Sequence, residues 1–172
     1  MTPLRFGTEP TPVGTAVIAV GDAGLLALEF DEAPPEHTLE PVMQSRGAVA
    51  VHDPTAVEHI AAQLREYFAG ERTAFDVDID WSLTHGFPRA ALQAICEIPY
   101  GETAAYGEVA ISAGSPGAAR AVGTACARTP ISLVVPVHRV VRSDGSIGRY
   151  GRHPEVKRFL VDLERANARA GV

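Results

Sequence analysis

The chain has 172 residues, 46% of them hydrophobic, and a formal net charge of −6. That length and apolar content support one or two compact units without covalent staples. Its longest apolar runs, such as LVVPV, are far too short to cross a bilayer, and no basic leader precedes an apolar stretch, so a cytoplasmic protein is expected. Cys96 and Cys126 lack CxxC spacing and are expected as reduced thiols rather than a disulfide or zinc framework. His59, His85, His138 and His153 have no ligand spacing with them, so neither a metal nor a cofactor is expected.

The first patterned stretch is TAVIAVGDAGLLALEF, Thr15 to Phe30: two apolar, β-rich runs around Gly21-Asp22-Ala23-Gly24, which reads as a hairpin. Residues 33–55 are rich in Pro, Gly and small polar residues and read as a connection. AVEHIAAQLREYFAG then spaces Val57, Ile60, Ala61, Leu64 and Phe68 as one helical face that stops at Gly70. Thr73 to Trp81 alternates Phe75, Val77 and Ile79 with aspartates, the period of a half-buried strand. The first eighty residues therefore predict a small α+β unit without conspicuous chemistry.

After SLTHG the texture changes. FPRAALQAICEIP predicts a helix with Pro88 near its N1 position and an end before Pro99. AYGEVAISAG, then SPG, then AARAVGTACART predicts two short helices around a tight glycine-containing turn, the outline of a helix-turn-helix. Charge agrees with that outline. Residues 1–80 hold 4 basic and 14 acidic side chains, whereas residues 81–172 hold 11 basic and 7 acidic, so the acidic average conceals a basic half. By itself such a cluster is more often a solvated face than a partner site.

ISLVVPVHRVV predicts buried strand or buried extended chain ahead of the polar turn RSDGSIGRYG. A histidine in such a run is more often a satisfied core residue than a catalyst. Here, however, Pro136, His138 and Arg139 form a polar knot whose buried members need mutual hydrogen bonds. The closing helix PEVKRFLVDLERANARA puts Val156, Phe159, Leu160 and Leu163 on one face, with Glu164 one position off it as a surface carboxylate or a partner that orients His138.

Five motifs in order, IPYGETAAYGEVA, PGAARAVGTA, PISLVVPVHRVV, DGSIGRYG and VKRFLVDLE, resemble the C-terminal domain of the O6-alkylguanine-DNA alkyltransferases, and residues 13–80 resemble that family's N-terminal domain. The resemblance implies an α+β protein. Residues 1–82 would form a small α/β domain with a ribonuclease H-like sheet, and residues 83–172 a mainly helical DNA-binding domain. It implies that Tyr106 crowds the phosphate of the target nucleotide, and that Arg120 enters the stack from a minor-groove recognition helix that also presents Ala119, Gly123 and Arg128. It further implies that Pro136, residue 137, His138, Arg139, Gly148 and Tyr150 line a lesion pocket in which His138 and Glu164 activate a cysteine.

The family motif is Pro-Cys-His-Arg-Val, and this chain has Val137 where the cysteine should stand. Valine has neither a polarisable lone pair nor an acidic proton, so transfer to that position is excluded. Thr129, Leu92 and Pro88 also replace a usual asparagine, tryptophan and glutamine. Removal of the nucleophile beside a retained reader resembles the alkyltransferase-like proteins. The expectation is therefore a monomeric, non-enzymatic sensor that flips O6-alkylguanine out of double-stranded DNA and marks it for nucleotide excision repair. Two alternatives stand beside it: an alkyl-accepting enzyme that uses another nucleophile such as Cys126, and a degenerate DNA-binding or interaction paralogue.

Overall fold

The computed structural model describes residues 2–148 and 153–171, and divides the chain into two compact units, Met1–Leu83 and Thr84–Val172. Among the described residues no helix is long and apolar enough to cross a membrane.

The first unit is built on a four-stranded sheet in the order β3-β2-β1-β4, from β1 (Leu4–Thr11), β2 (Gly14–Gly21), β3 (Gly24–Phe30) and β4 (Ala50–His52). β2 pairs antiparallel with both β1 and β3, while β4 adds to β1 in parallel. Two helices cover the sheet, α1 (Pro35–Arg46) and α2 (Pro54–Phe68). Leu39 and Val42 of α1 join Leu4, Phe6, Val17, Ala19 and Leu26 in one core cluster. α2 packs along β1 and β2, so close that a Cβ on Gly7 would lie 2.6 Å from Val57. Both faces being covered is why β2 reads as an unbroken apolar run rather than an alternation. Asp53 caps α2 by accepting a 3.3 Å hydrogen bond from the Ala56 amide, an interaction worth about 1 kcal/mol.

Three expectations for this unit need correction. The hairpin has a third partner, β1, before it. Residues 33–55 hold α1 and β4 rather than a connection alone. Their punctuation was there to see, with Pro35 in the first turn of α1 and Gly47 ending it in the left-handed region at φ 58°, but Pro41 inside the helix and sparse apolar residues blur its period. Thr73 to Trp81 is not a strand. It makes one isolated bridge, Ile79 to Leu25, and the Gln63 side chain takes the place of a partner strand by bonding both the amide (2.8 Å) and the carbonyl (3.0 Å) of Asp76.

The second unit gathers α3 (Gly86–Cys96), α4 (Tyr106–Ser112) and α5 (Ala119–Arg128) into a packed trio, and closes with α6 (Pro154–Arg169). Two short strands, β5 (Ala104–Ala105) and β6 (Val140–Val141), pair in parallel. They tie the segment before α4 to the chain that carries His138. The apolar run ahead of β6 is not one strand. Leu133 is left-handed at φ 67°, and residues 137–139 form a 3-10 turn against which α6 packs. A left-handed leucine costs on the order of 1–3 kcal/mol, offset here by a side chain only 1% exposed. The buried face of α6 also differs from expectation: Val156, Lys157, Leu160, Val161 and Glu164 face inward, and Phe159 is 40% exposed.

Candidate functional site

The 3-10 turn puts three consecutive side chains, Val137, His138 and Arg139, into the interior beside Glu164 of α6. His138 is fully buried and its Nε2 lies 2.7 Å from Glu164 Oε1. Arg139 clamps the same carboxylate with two bonds of 2.9 Å, from Nε to Oε2 and from Nη2 to Oε1, while its Nη1 donates to the Ile98 carbonyl at 2.7 Å. The Gly101 amide adds a longer 3.4 Å bond to Oε2. Gly101 is held there in the left-handed region at φ 82°, where a Cβ would meet Ala168 at 2.7 Å.

The charges follow from this geometry. Burial alone would raise the Glu164 carboxyl, but the hydrogen bond from His138 and the hydrogen bonds and charge of Arg139 outweigh it and hold the group at about 2. Burial lowers His138 against the pull of Glu164, so the ring is neutral beside an ionised carboxylate. Because the carboxylate can only accept, Nε2 carries the ring proton and Nδ1 is left with its lone pair. Nδ1 is buried and has no hydrogen-bond partner among the described residues. The arrangement is that of an oriented general base. Its sequence neighbour Val137, 4% exposed, has no proton to give it.

A second group of side chains surrounds Tyr106. Its ring lies 3.8 Å from where a Cβ on Gly123 of α5 would stand, and a Cβ on Gly148 would come within 2.8 Å of its hydroxyl. Lys157 Nζ sits 5.6 Å from the ring centroid and 3.5 Å from the hydroxyl. Arg120 and Arg128 are exposed on α5, and Ala119 and Gly123 are half-buried. Pro136 is buried and enters the 3-10 turn at its N-terminal side. Thr129 ends α5 and accepts from the Ile131 amide at 3.2 Å, which fastens the chain leaving the helix. Tyr150 lies outside the described residues. Among the described residues no cluster of three or more histidine, cysteine or carboxylate side chains could hold a metal.

The structure thus joins His138, Arg139 and Glu164 directly, and places Tyr106 with Gly123 and Gly148. It also supplies a residue that sequence reasoning missed. Lys157 is 1% exposed, and its signal was its position seven residues before Glu164, two turns away on the same helical face.

A two-unit α+β chain whose second unit holds both an arginine-bearing helix after a tight turn and a buried histidine–carboxylate pair defines a narrow class of protein, and comparison with known proteins identifies it. Residues 86–166 match the family described as 6-O-methylguanine DNA methyltransferase, DNA binding domain, and residues 4–81 match its ribonuclease-like domain. The chain belongs to this family. It is 47% identical over 167 residues to the methylated-DNA–protein-cysteine methyltransferase of Mycobacterium bovis, covering 97% of this chain and 96% of that one. The protein of the same name from Methanosarcina barkeri is 36% identical over 166 residues, covering 96% of this chain and all of the relative. In three dimensions the chain superposes on Mycobacterium tuberculosis OGT in complex with DNA with a TM-score of 0.80 and 37% identity, covering 95% of this chain and 94% of that one.

These relatives overturn the expectation of a non-enzymatic sensor. Proteins that align along nearly the whole chain carry the name of a methyltransferase, and the handover to excision repair falls with the sensor reading. An inert group at one position says where a methyl group cannot go, and leaves open whether one is moved.

Proposed function

We propose that this chain repairs methylated DNA by moving the alkyl group of an O6-alkylated guanine to one of its own cysteine thiols. The observation that carries the reading is the 47% identity, over 167 residues, to a methylated-DNA–protein-cysteine methyltransferase. The site supports it: the buried carboxylate, neutral histidine and arginine clamp are complete around the turn at Val137. The α4–turn–α5 segment serves as a helix-turn-helix for double-stranded DNA. Arg120 and Arg128 are free in solvent to meet phosphates or enter the stack, and Tyr106 and Gly123 lie behind them.

In this reading the target guanine is rotated out of the duplex toward the turn carrying Pro136, Val137 and His138. Unstacking costs a few kcal/mol and is cheapest for a mispaired, alkylated base. Residue 137 does not receive the group, because an isopropyl side chain has no electron pair to give. The acceptor is a thiol elsewhere in the chain.

The test is incubation of the full chain with a duplex carrying one O6-methylguanine, followed by intact-mass measurement of the protein and nucleoside analysis of the DNA. The expected result is a mass gain of one methyl group per chain and recovery of unmodified guanine. Recovery of intact O6-methylguanine with no change in protein mass would overturn the proposal.

A further inference from the structure

Resting on the DNA reading above, we propose that Arg142 is a further contact of this chain to a backbone phosphate of the duplex, placed on the opposite edge of Tyr106 from Arg120. The placement follows from the short parallel ladder of β5 and β6. Ala104 pairs with Val140 and Ala105 with Val141, so Tyr106 and Arg142 leave the ladder as register neighbours. Adjacent strands lie about 4.8 Å apart, which sets the Arg142 backbone beside that of Tyr106.

The chain after Arg142 then turns back on the same ring. The Arg142 amide donates to the Ser146 carbonyl at 3.0 Å and the Gly145 amide to the Arg142 carbonyl at 2.8 Å, which closes a tight turn. Gly145 supplies the left-handed conformation that turn needs, at φ 81°. Two residues beyond Ser146, Gly148 comes up against the ring, where a Cβ would stand 3.4 Å from Cε2. Gly123 of α5 faces the other edge, nearest Cε1 and Cδ1. Arg120 lies one turn before Gly123 on the same side of α5. The Tyr106 ring is therefore flanked by two arginine-bearing segments, one at each edge.

The second observation is that the Arg142 guanidinium is uncommitted. The side chain is exposed and makes no hydrogen bond or ion pair among the described residues. Arg46, Arg65 and Arg72 of the first unit are, by contrast, each paired with a carboxylate. The carboxylates beside Arg142 and Tyr106 in the chain are occupied locally. Asp144 accepts from the Ser146 hydroxyl at 2.6 Å and from its amide at 2.9 Å, and Glu108 folds back onto the Ala105 amide at 3.0 Å. All five guanidinium donors thus stay available for phosphate oxygens, whose geometry they match. Because the turn is already formed, binding has only the side chain to order. A contact of this kind adds affinity and fixes register, and it is blind to the base.

Fluorescence anisotropy of the full chain on duplexes with and without one O6-methylguanine, over a series of salt concentrations, tests this. Arg142→Gln is expected to weaken binding to both duplexes by the same factor, about three- to tenfold at low salt, and to lower the slope of log affinity against log salt by about one. Arg142→Lys should restore most of that slope, since a phosphate also accepts a point charge. Arg169→Gln, which removes an exposed arginine at the end of α6, should leave affinity and slope nearly unchanged. Equal losses in Arg142→Gln and Arg169→Gln would overturn the contact in favour of net charge, and a loss confined to the methylated duplex would overturn it in favour of a lesion contact. Unchanged binding in Arg142→Gln, while the unmodified sequence binds, overturns the proposal and leaves the DNA reading standing. Absence of binding by the unmodified sequence overturns both.

Discussion

Val137 stands beside a histidine whose outer nitrogen has no partner among the described residues. A base so placed needs only a proton to take. Val137→Cys is therefore expected to create a second accepting thiol at position 137, seen as methylation of that residue in the peptide map. An unmethylated cysteine there would mean that Nδ1 does not serve that position. Lys157 is buried against the Tyr106 ring with a single long hydrogen bond among the described residues. Lys157→Met removes a buried charge and should stabilise the fold by on the order of 1 kcal/mol in denaturant titration. Neither property is visible in the residue names. A lysine seven positions before a glutamate reads as surface charge until the helix is seated.

Among the elements, the hairpin of β2 and β3 and helices α2, α4 and α5 follow from local patterning, because each carries its own period and its own terminating glycine, proline or β-region residue. The segment at 73–81 failed as a strand because alternation shows which side chains point inward, not what satisfies the backbone. Here Gln63 and the Leu25 backbone do so. Gly24 marks that junction: it sits at φ 127°, and a Cβ would fall 2.3 Å from the Asp78 carbonyl oxygen. Gly24→Ala is expected to cost about 1–3 kcal/mol in thermal unfolding by lifting 78–80 off the sheet edge. On α5, Arg120 is exposed. Arg120→Ala should leave the melting temperature unchanged, weaken duplex binding and lower the slope of log affinity against log salt by about one if it meets a phosphate.

At the scale of the whole molecule, the acidic average of −6 and the basic C-terminal half are both real, and only the distribution bears on DNA. Acid stability is set largely in the interior. Glu164 has a folded value of about 2 against an ordinary 4.5, so its contribution is full above about 5 and is lost as the pH falls toward 2. His138 works in the same direction: its value is lowered, so the fold disfavours the protonated ring and loses stability as acid charges it. Thermal melts between pH 7 and 3 should show a steep fall. Glu164→Gln, which strands the Arg139 guanidinium, should cost about 3–5 kcal/mol at pH 7 and flatten the curve below pH 5.

The sequence alone determined the class of the fold, the resemblance carried by five ordered motifs, the basic half and the chemical exclusion of position 137, because these depend on residue identity and local period. Only the tertiary structure decided which polar groups are buried together: that Arg139 clamps Glu164, that His138 has one nitrogen engaged and the other without a partner among the described residues, and that Lys157 turns inward to Tyr106. Burial and hydrogen-bond geometry are shared between segments distant in the chain, and a charge deep in a protein owes its state to neighbours that no window of sequence contains.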